Sequence, residues 1–191
     1  MRTLTAVEFL TVDGVMQGLG SPEEDTEGGF THGGWGTRYA EGINPSSSLE
    51  ATSAYLFGRK TYEKMAAFWP FQPDTNPIAA HMTATAKYVA TRTLTSLDWS
   101  GSEVLDGDLE TSVGQLKAEG EGGITILGSG VLVHELMRLR LVDQFRLFVH
   151  PLLLGTGKRL FRDLPRPQAL HLIGLDSTPL GSVALTYTID S

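Results

Sequence analysis

The chain has 191 residues, 41% of them apolar and 19% charged, and a formal net charge of -7. Its length suits one domain, residues 1–191, with a sizeable core, and its acidic balance argues against general nucleic-acid binding, which needs a basic face. With no cysteine it has no disulfide, thiol catalysis or Cys-ligated zinc, which is compatible with a cytoplasmic protein.

The N-terminal stretch "TLTAVEFLTV", residues 3–12, is apolar on both alternating faces and predicts a strand buried on both sides. Glu8 interrupts it and must find a partner or an edge if buried. Nothing here reads as a signal peptide, and no run approaches a membrane span. Residues 13–36 hold eight of the 22 glycines, too many for a passive connector, and predict a lid or binding loop. Within it "EEDTE", 23–27, reads as a solvated surface. A helix broken near 42–45 follows, then a strand "AYLFG" and a helix "RKTYEKMAAFW" with Tyr62, Met65, Ala66 and Trp69 at helical spacing. "FQPDTNPIAAHM" reads as loop. Strands at "KYVATRTL", "SEVLDGD" and "GITILG" alternate with helices at "LETSVGQLKAEG" and "SGVLVHELMRLRL". "VDQFRLFVHPLLLG" predicts a long strand, and "QALHLIGLDS" and "VALTYTID" a closing hairpin joined through "TPLG". Alternation up to about residue 140 implies an α/β fold with a mostly parallel sheet flanked by helices; the last strands add an antiparallel hairpin.

In such a sheet, ligands bind beyond the carboxyl ends of the parallel strands. Three segments fall there: "FG-RKT" at 57–61, "AT-RT" at 90–93 and "LG-SG-V" at 127–131. Arg59 and Lys60 open a helix, where the macrodipole disfavours cations unless an anion joins them. Glycines at 128 and 130 would let backbone amides approach a ligand, with Arg59, Lys60, Arg92 and the hydroxyls of Thr61, Thr91 and Ser129 to complete a phosphate site; the alternative reading is a tight Gly-Ser-Gly turn and solvated surface cations. The dinucleotide fingerprint is incomplete, because Val133 takes its third glycine position. "GTGK" at 155–158 is no triphosphate loop, since Leu152 and Arg159 occupy the positions that need Gly and Ser or Thr. The five histidines show no metal spacing, so no metal is expected.

"LFGRKTYE" resembles the Gly-Arg-x-Thr signature of dihydrofolate reductases. "TVDGV" at 11–15, "KYVATRTL" at 87–94, "ILGSGVLV" at 126–133 and "LVDQFRLFVHPLLLGTGKRLF" at 141–161 resemble the reductase domain of bifunctional riboflavin-biosynthesis enzymes. The resemblance spans nearly the whole chain. It implies a three-layer dihydrofolate-reductase-like fold, NADPH as hydride donor and a homodimer acting on a small molecule, heterocyclic or sugar-linked. Carried over by position, Gly58, Arg59, Lys60 and Thr61 meet the cofactor phosphates, Thr91 and Arg92 flank the adenosine phosphate, and Gly128, Ser129, Gly130 and Val131 wrap the pyrophosphate or nicotinamide ribose. On the substrate side, Asp13 is the catalytic candidate, in the position beside the reacting sugar; Gly14 follows it at the cleft mouth, and Trp35 is a ring-stacking wall. True dihydrofolate reductases carry an acid on the first helix. The matching stretch holds only Glu41 and Glu50, neither in the family's pattern; Glu41 is the substrate-binding candidate, and pterin reduction is in doubt. A non-catalytic ligand-binding or regulatory protein on the same fold is the alternative, and a dimerisation module using "FRLFVHPLLLG" a third reading.

Overall fold

A computed structural model describes residues 1–40, 46–73, 75–164 and 166–189. Eight strands form one mixed sheet in the order β4-β3-β2-β5-β1-β6-β8-β7. They are β1 (Leu4–Thr11), β2 (Thr52–Gly58), β3 (Ala86–Ala90), β4 (Ser102–Val104), β5 (Gly123–Leu127), β6 (Gln144–His150), β7 (Leu170–Ser177) and β8 (Val183–Ile189). The helices are α1 (Ser46–Ala51), α2 (Arg59–Phe68), α3 (Pro77–Ala84), α4 (Leu109–Ala118) and α5 (Gly130–Arg138). None among the described residues is long and apolar enough to cross a membrane.

The chain packs as two units, Met1–Ala6 with Pro45–Asp143 and Val7–Asn44 with Gln144–Ser191. The first holds the parallel pairs β2–β3, β2–β5 and β3–β4. Its strands are apolar runs: Ala54, Tyr55, Leu56 and Phe57 of β2 and Ile124 and Ile126 of β5 are all buried. Tyr55, Phe57, Tyr62, Met82, Val89 and Trp99 form one cluster in which rings of β2 and α2 meet Trp99. Two buried cations are satisfied internally. Lys117 of α4 donates to the Leu141 carbonyl and the Asp143 carboxylate, each at 2.8 Å. Lys87 donates to three carbonyls at the end of α3.

The segment expected as loop before β3 contains α3. Asn76 caps it, its side chain accepting from the Ile78 and Ala79 amides, and Pro77 stands in its first turn, where a missing N–H costs nothing. That cap was written in the sequence but hidden among prolines.

The second unit holds the antiparallel pairs β6–β8 and β7–β8, as the closing strands imply. β8 lies between β6 and β7, so the hairpin adds β7 at the sheet's end. Residues 13–36 are largely irregular, with a short 3-10 turn at Glu27–Gly29 and another just after them at Thr37–Tyr39. Val15, Phe30 and Trp35 form their own buried cluster, with Leu19, Leu152 and Leu154 against it.

Glu8 of β1 is 1% exposed, and its Oε1 finds no donor among the described residues. Neither expectation for it, a partner or an edge position, holds: β1 is paired on both sides. Burial therefore pushes the carboxyl up to about 8, and at neutral pH it stays protonated and uncharged.

Candidate functional site

In the first unit, parallel pairing sets the ends of three strands level. Gly58 stands opposite Ala90, and Leu56 opposite Ile126. The three turns singled out from the sequence therefore leave one edge of one sheet. Two of them touch: the Gly58 amide donates to Ser129 Oγ at 3.0 Å, and a Cβ on Gly128 would lie 3.6 Å from Thr61 Cγ2. Gly128 has φ +66° and Ser129 follows at +66°, so two successive left-handed residues lead into α5. For Ser129 that conformation costs about 1 kcal/mol or more, a strain that clusters at ligand sites.

How the helices are capped separates them. Asn76 caps α3 and Asp108 caps α4. At α2 and α5 the N-cap residues, Gly58 and Ser129, make no side-chain cap bond among the described residues, and neither helix carries an acid in its first turn. Two adjoining helix ends thus keep amide groups for something else, with positive dipole ends side by side. Arg59 is exposed and pairs at 3.4 Å with Glu63 one turn on, also exposed. Lys60 and Arg92 are exposed, and Val131 in the first turn of α5 is 74% exposed. Thr91 Oγ1 accepts from the Thr93 and Leu94 amides, closing the turn after β3 and setting Arg92 on this edge. The structure thus brings Gly58, Arg59, Lys60, Thr61, Thr91, Arg92, Gly128, Ser129, Gly130 and Val131 to a common edge.

The second unit contains the residues assigned to substrate. Asp13 is an ionised hub. Its Oδ1 accepts from the Thr11 hydroxyl at 2.6 Å and from the Leu154 amide at 3.2 Å; Oδ2 accepts from the Gly155 amide at 2.8 Å. Arg159 adds an ion pair at 3.5 Å. The Thr11 hydroxyl foremost, then the Gly155 and Leu154 amides, hold the carboxyl down at about 2. An acid so strong delivers no proton at neutral pH; it can only orient and stabilise. Gly14, at φ +80°, makes the turn behind it. Trp35, expected as a stacking wall, is 8% exposed, and its indole donates to the Gln17 carbonyl at 2.7 Å. Its ring stands edge-on to buried His150, so packing occupies it. Glu41 lies outside the described residues.

Sequence reasoning missed how loop 13–36 is held. Gln17 is buried and ties two segments together: its amide donates to the Glu27 carbonyl at 2.9 Å and reaches Asp25, while its oxygen accepts from the Lys158 amide at 2.9 Å. Lys158 Nζ bridges Asp25 and Glu27 at 2.7 Å each. "EEDTE" is thus not merely solvated, and "GTGKR" is the loop's clasp. Burial works against the Asp25 anion, but the bonds from Lys158 and the Glu27 amide outweigh it and lower its pKa. At Gly157, φ +113°, a Cβ would come within 2.7 Å of Val15 and 2.8 Å of Phe30, so only glycine lets the clasp close on the apolar cluster. Since the ion pairs are partly exposed, Lys158→Met is expected to cost only about 1 kcal/mol of local stability. Amide exchange at residues 23–29 should then quicken roughly fivefold with the rest of the chain unchanged. Unaltered exchange would mean that Gln17 alone holds the loop.

Comparison with known proteins bears on the fold and the family. The chain is 31% identical over 142 residues to the uncharacterized protein YyaP of Bacillus subtilis (strain 168), covering 73% of this chain and 75% of that one. It is 28% identical over 135 residues to YwjB of the same organism, covering 70% and 73%. Among solved structures it superposes on a candidate riboflavin biosynthesis protein of Shewanella sp. PV-4 with TM-score 0.73 at 18% identity, covering 99% of both chains. A pyrimidine reductase-like protein of Corynebacterium diphtheriae gives 0.64 at 13% identity, over 100% of this chain and 92% of that one. At these identities the solved structures speak for the fold alone. The family model for the RibD C-terminal domain matches residues 2–185, and the chain belongs to that family.

Proposed function

We propose that this protein is an NADPH-dependent reductase acting on a small heterocyclic or sugar-linked molecule. One observation carries the reading: two uncapped helix N-termini joined through Gly58 and Ser129, with Arg59 and Arg92 on the same sheet edge. Backbone amides, two dipole ends and guanidinium groups suit a dianionic phosphate and a pyrophosphate. When bound, the nicotinamide supplies the hydride. The residues of this chain bind and orient: Gly58 to Thr61 and Gly128 to Val131 take the phosphates, and Arg59 the ribose phosphate. Asp13 acts as a fixed carboxylate that positions a substrate hydroxyl. Oδ2 accepts one hydrogen bond, from the Gly155 amide, with Arg159 at ion-pair distance, and so keeps an acceptor site for that bond, since a carboxylate accepts at about four sites. Family membership supports the reductase reading, and a riboflavin-type substrate is the class proposed with it.

Titration of the purified protein with NADPH and NADH, followed by nicotinamide fluorescence, tests this. Arg59→Ala should weaken NADPH roughly 10- to 100-fold, the worth of one charge-assisted bond, and NADH much less. Equal loss of both would remove Arg59 from the phosphate role, and binding of neither at high micromolar concentration would end the reading. Tight binding without turnover of any pterin, pyrimidine or aldehyde would favour the non-catalytic alternative.

A further inference from the structure

Thr11, the last residue of β1, is 1% exposed and stands two residues before Asp13. Its main chain closes the turn that carries Asp13. The Thr11 amide donates to the Val15 carbonyl at 3.0 Å, and the Gly14 amide donates to the Thr11 carbonyl at 2.8 Å. Its side chain lies inside that turn. Thr11 Oγ1 accepts from the Val15 amide at 3.0 Å and donates to Asp13 Oδ1 at 2.6 Å.

The direction of these two bonds is forced. An amide N–H can only donate, so it takes a lone pair of the hydroxyl. An ionised carboxylate can only accept, so the single hydroxyl proton goes to Oδ1. A bond to an ionised acceptor is short and roughly twice as strong as one between neutral groups. The other groups that meet this carboxylate among the described residues are donors too: the Leu154 amide on Oδ1, the Gly155 amide on Oδ2 and the Arg159 guanidinium at 3.5 Å. Oδ1 is thereby filled from two sides, while Oδ2 keeps an acceptor site. The Asp13 side chain remains 19% exposed, so a ligand can reach it.

We propose that Thr11 is a positioning residue: its hydroxyl, turned by the Val15 amide, holds Asp13 as a carboxylate in the orientation that leaves Oδ2 open to the substrate. The substrate group taken there is then a hydrogen-bond donor such as a hydroxyl, and not a carbonyl oxygen or a phosphate. This rests on the substrate role given to Asp13 in the proposed function. The relay from Val15 through Thr11 to Asp13 can be tested without any ligand, so either reading can fail while the other stands.

In isotope-labelled protein the Cγ resonance of Asp13, identified by its loss in Asp13→Asn, reports ionisation directly. In the wild type it should remain that of a carboxylate down to about pH 3, because the carboxyl is held at about 2. Thr11→Val keeps the shape and removes the hydroxyl. Its Asp13 midpoint should rise by about one pH unit toward the ordinary 3.8. Roughly half of the Asp13 carboxyls are then protonated at about pH 3, against about a tenth in the wild type. Thr11→Ser should restore the wild-type titration. Asp108, held low by the Thr111 amide at the start of α4, should not move in either variant, whereas a general loosening would shift it as well. Circular dichroism checks that each variant folds. Should Thr11→Val not fold, the wild type decides: the Thr11 hydroxyl proton should exchange slowly enough to give its own resonance, with a cross-peak to the Val15 amide. An Asp13 midpoint unmoved by Thr11→Val, a rise that Thr11→Ser does not reverse, or a Thr11 hydroxyl exchanging as freely as an exposed one would each overturn the proposal.

Discussion

Replacing Glu8 by Gln should raise stability at pH 8 by up to about 4 kcal/mol and flatten its fall between pH 5 and 8. Burial raises the Glu8 carboxyl from 4.5 to about 8 in the folded chain. Between those values the folded state holds a proton that the unfolded state has lost. Stability therefore falls as pH rises through the window, by at most about 1.4 kcal/mol per unit. Below pH 4.5 both states are protonated and the group contributes no slope. Gln keeps the shape and cannot ionise, so the variant should track wild type near pH 5 and exceed it near pH 8. Urea denaturation at both values measures the difference. A wild-type chain as stable at pH 8 as at pH 5 would mean that the buried carboxyl meets a donor in solution. Against a total of roughly 5–15 kcal/mol for a folded domain, this one proton is a large share.

The second large effect belongs to Lys87. It is fully buried on β3, yet its ammonium donates to the carbonyls of Met82, Thr83 and Thr85 at 2.8, 3.2 and 2.7 Å. The face of Trp99 lies 4.6 Å away. The cation thus closes the C-terminus of α3, where unpaired carbonyls and the negative dipole end would otherwise need water. Burial pulls its pKa down to about 8, and at neutral pH it remains mostly charged. Since the folded value lies below the ordinary 10.5, stability should rise with pH from about 8 upward, as the unfolded chain alone still holds the proton. Lys87→Met fills the same space without donors and should cost about 3–5 kcal/mol. Thermal unfolding, with Trp fluorescence reporting on Trp99, measures it. A loss under about 1 kcal/mol would mean that the α3 carbonyls are satisfied by other means.

The two residues also show where reading from sequence stops. Glu8 in an apolar strand announced a problem, but the alternation of β1 could not say whether a partner waited across the sheet. Lys87 opens "KYVATRTL" and reads as any solvated strand end; its acceptors belong to a helix concealed in a proline-rich stretch. At the candidate site the balance differs. The turns at Gly58 and Gly128 were legible as local strand-to-helix junctions and that at Thr91 as the end of a strand, and parallel pairing of β2, β3 and β5 then aligned them. The clasp on loop 13–36 was not legible. Lys158 and Asp25 are 133 residues apart, and neither stands in a pattern that names the other.

The order of amino acids alone determined the local elements: the apolar strands β1, β2 and β5, the uncapped cationic start of α2, the glycine-rich loop and the closing hairpin. These follow from side-chain periodicity and turn chemistry acting within a few residues. Only the tertiary structure decided that β8 slips between β6 and β7, that Ile173 leaves the ladder, that the Leu154 and Gly155 amides fix Asp13 in place and that Trp35 packs inward. Such outcomes depend on which distant segments meet, and pairing energies between remote segments leave no periodic trace in the chain that carries them.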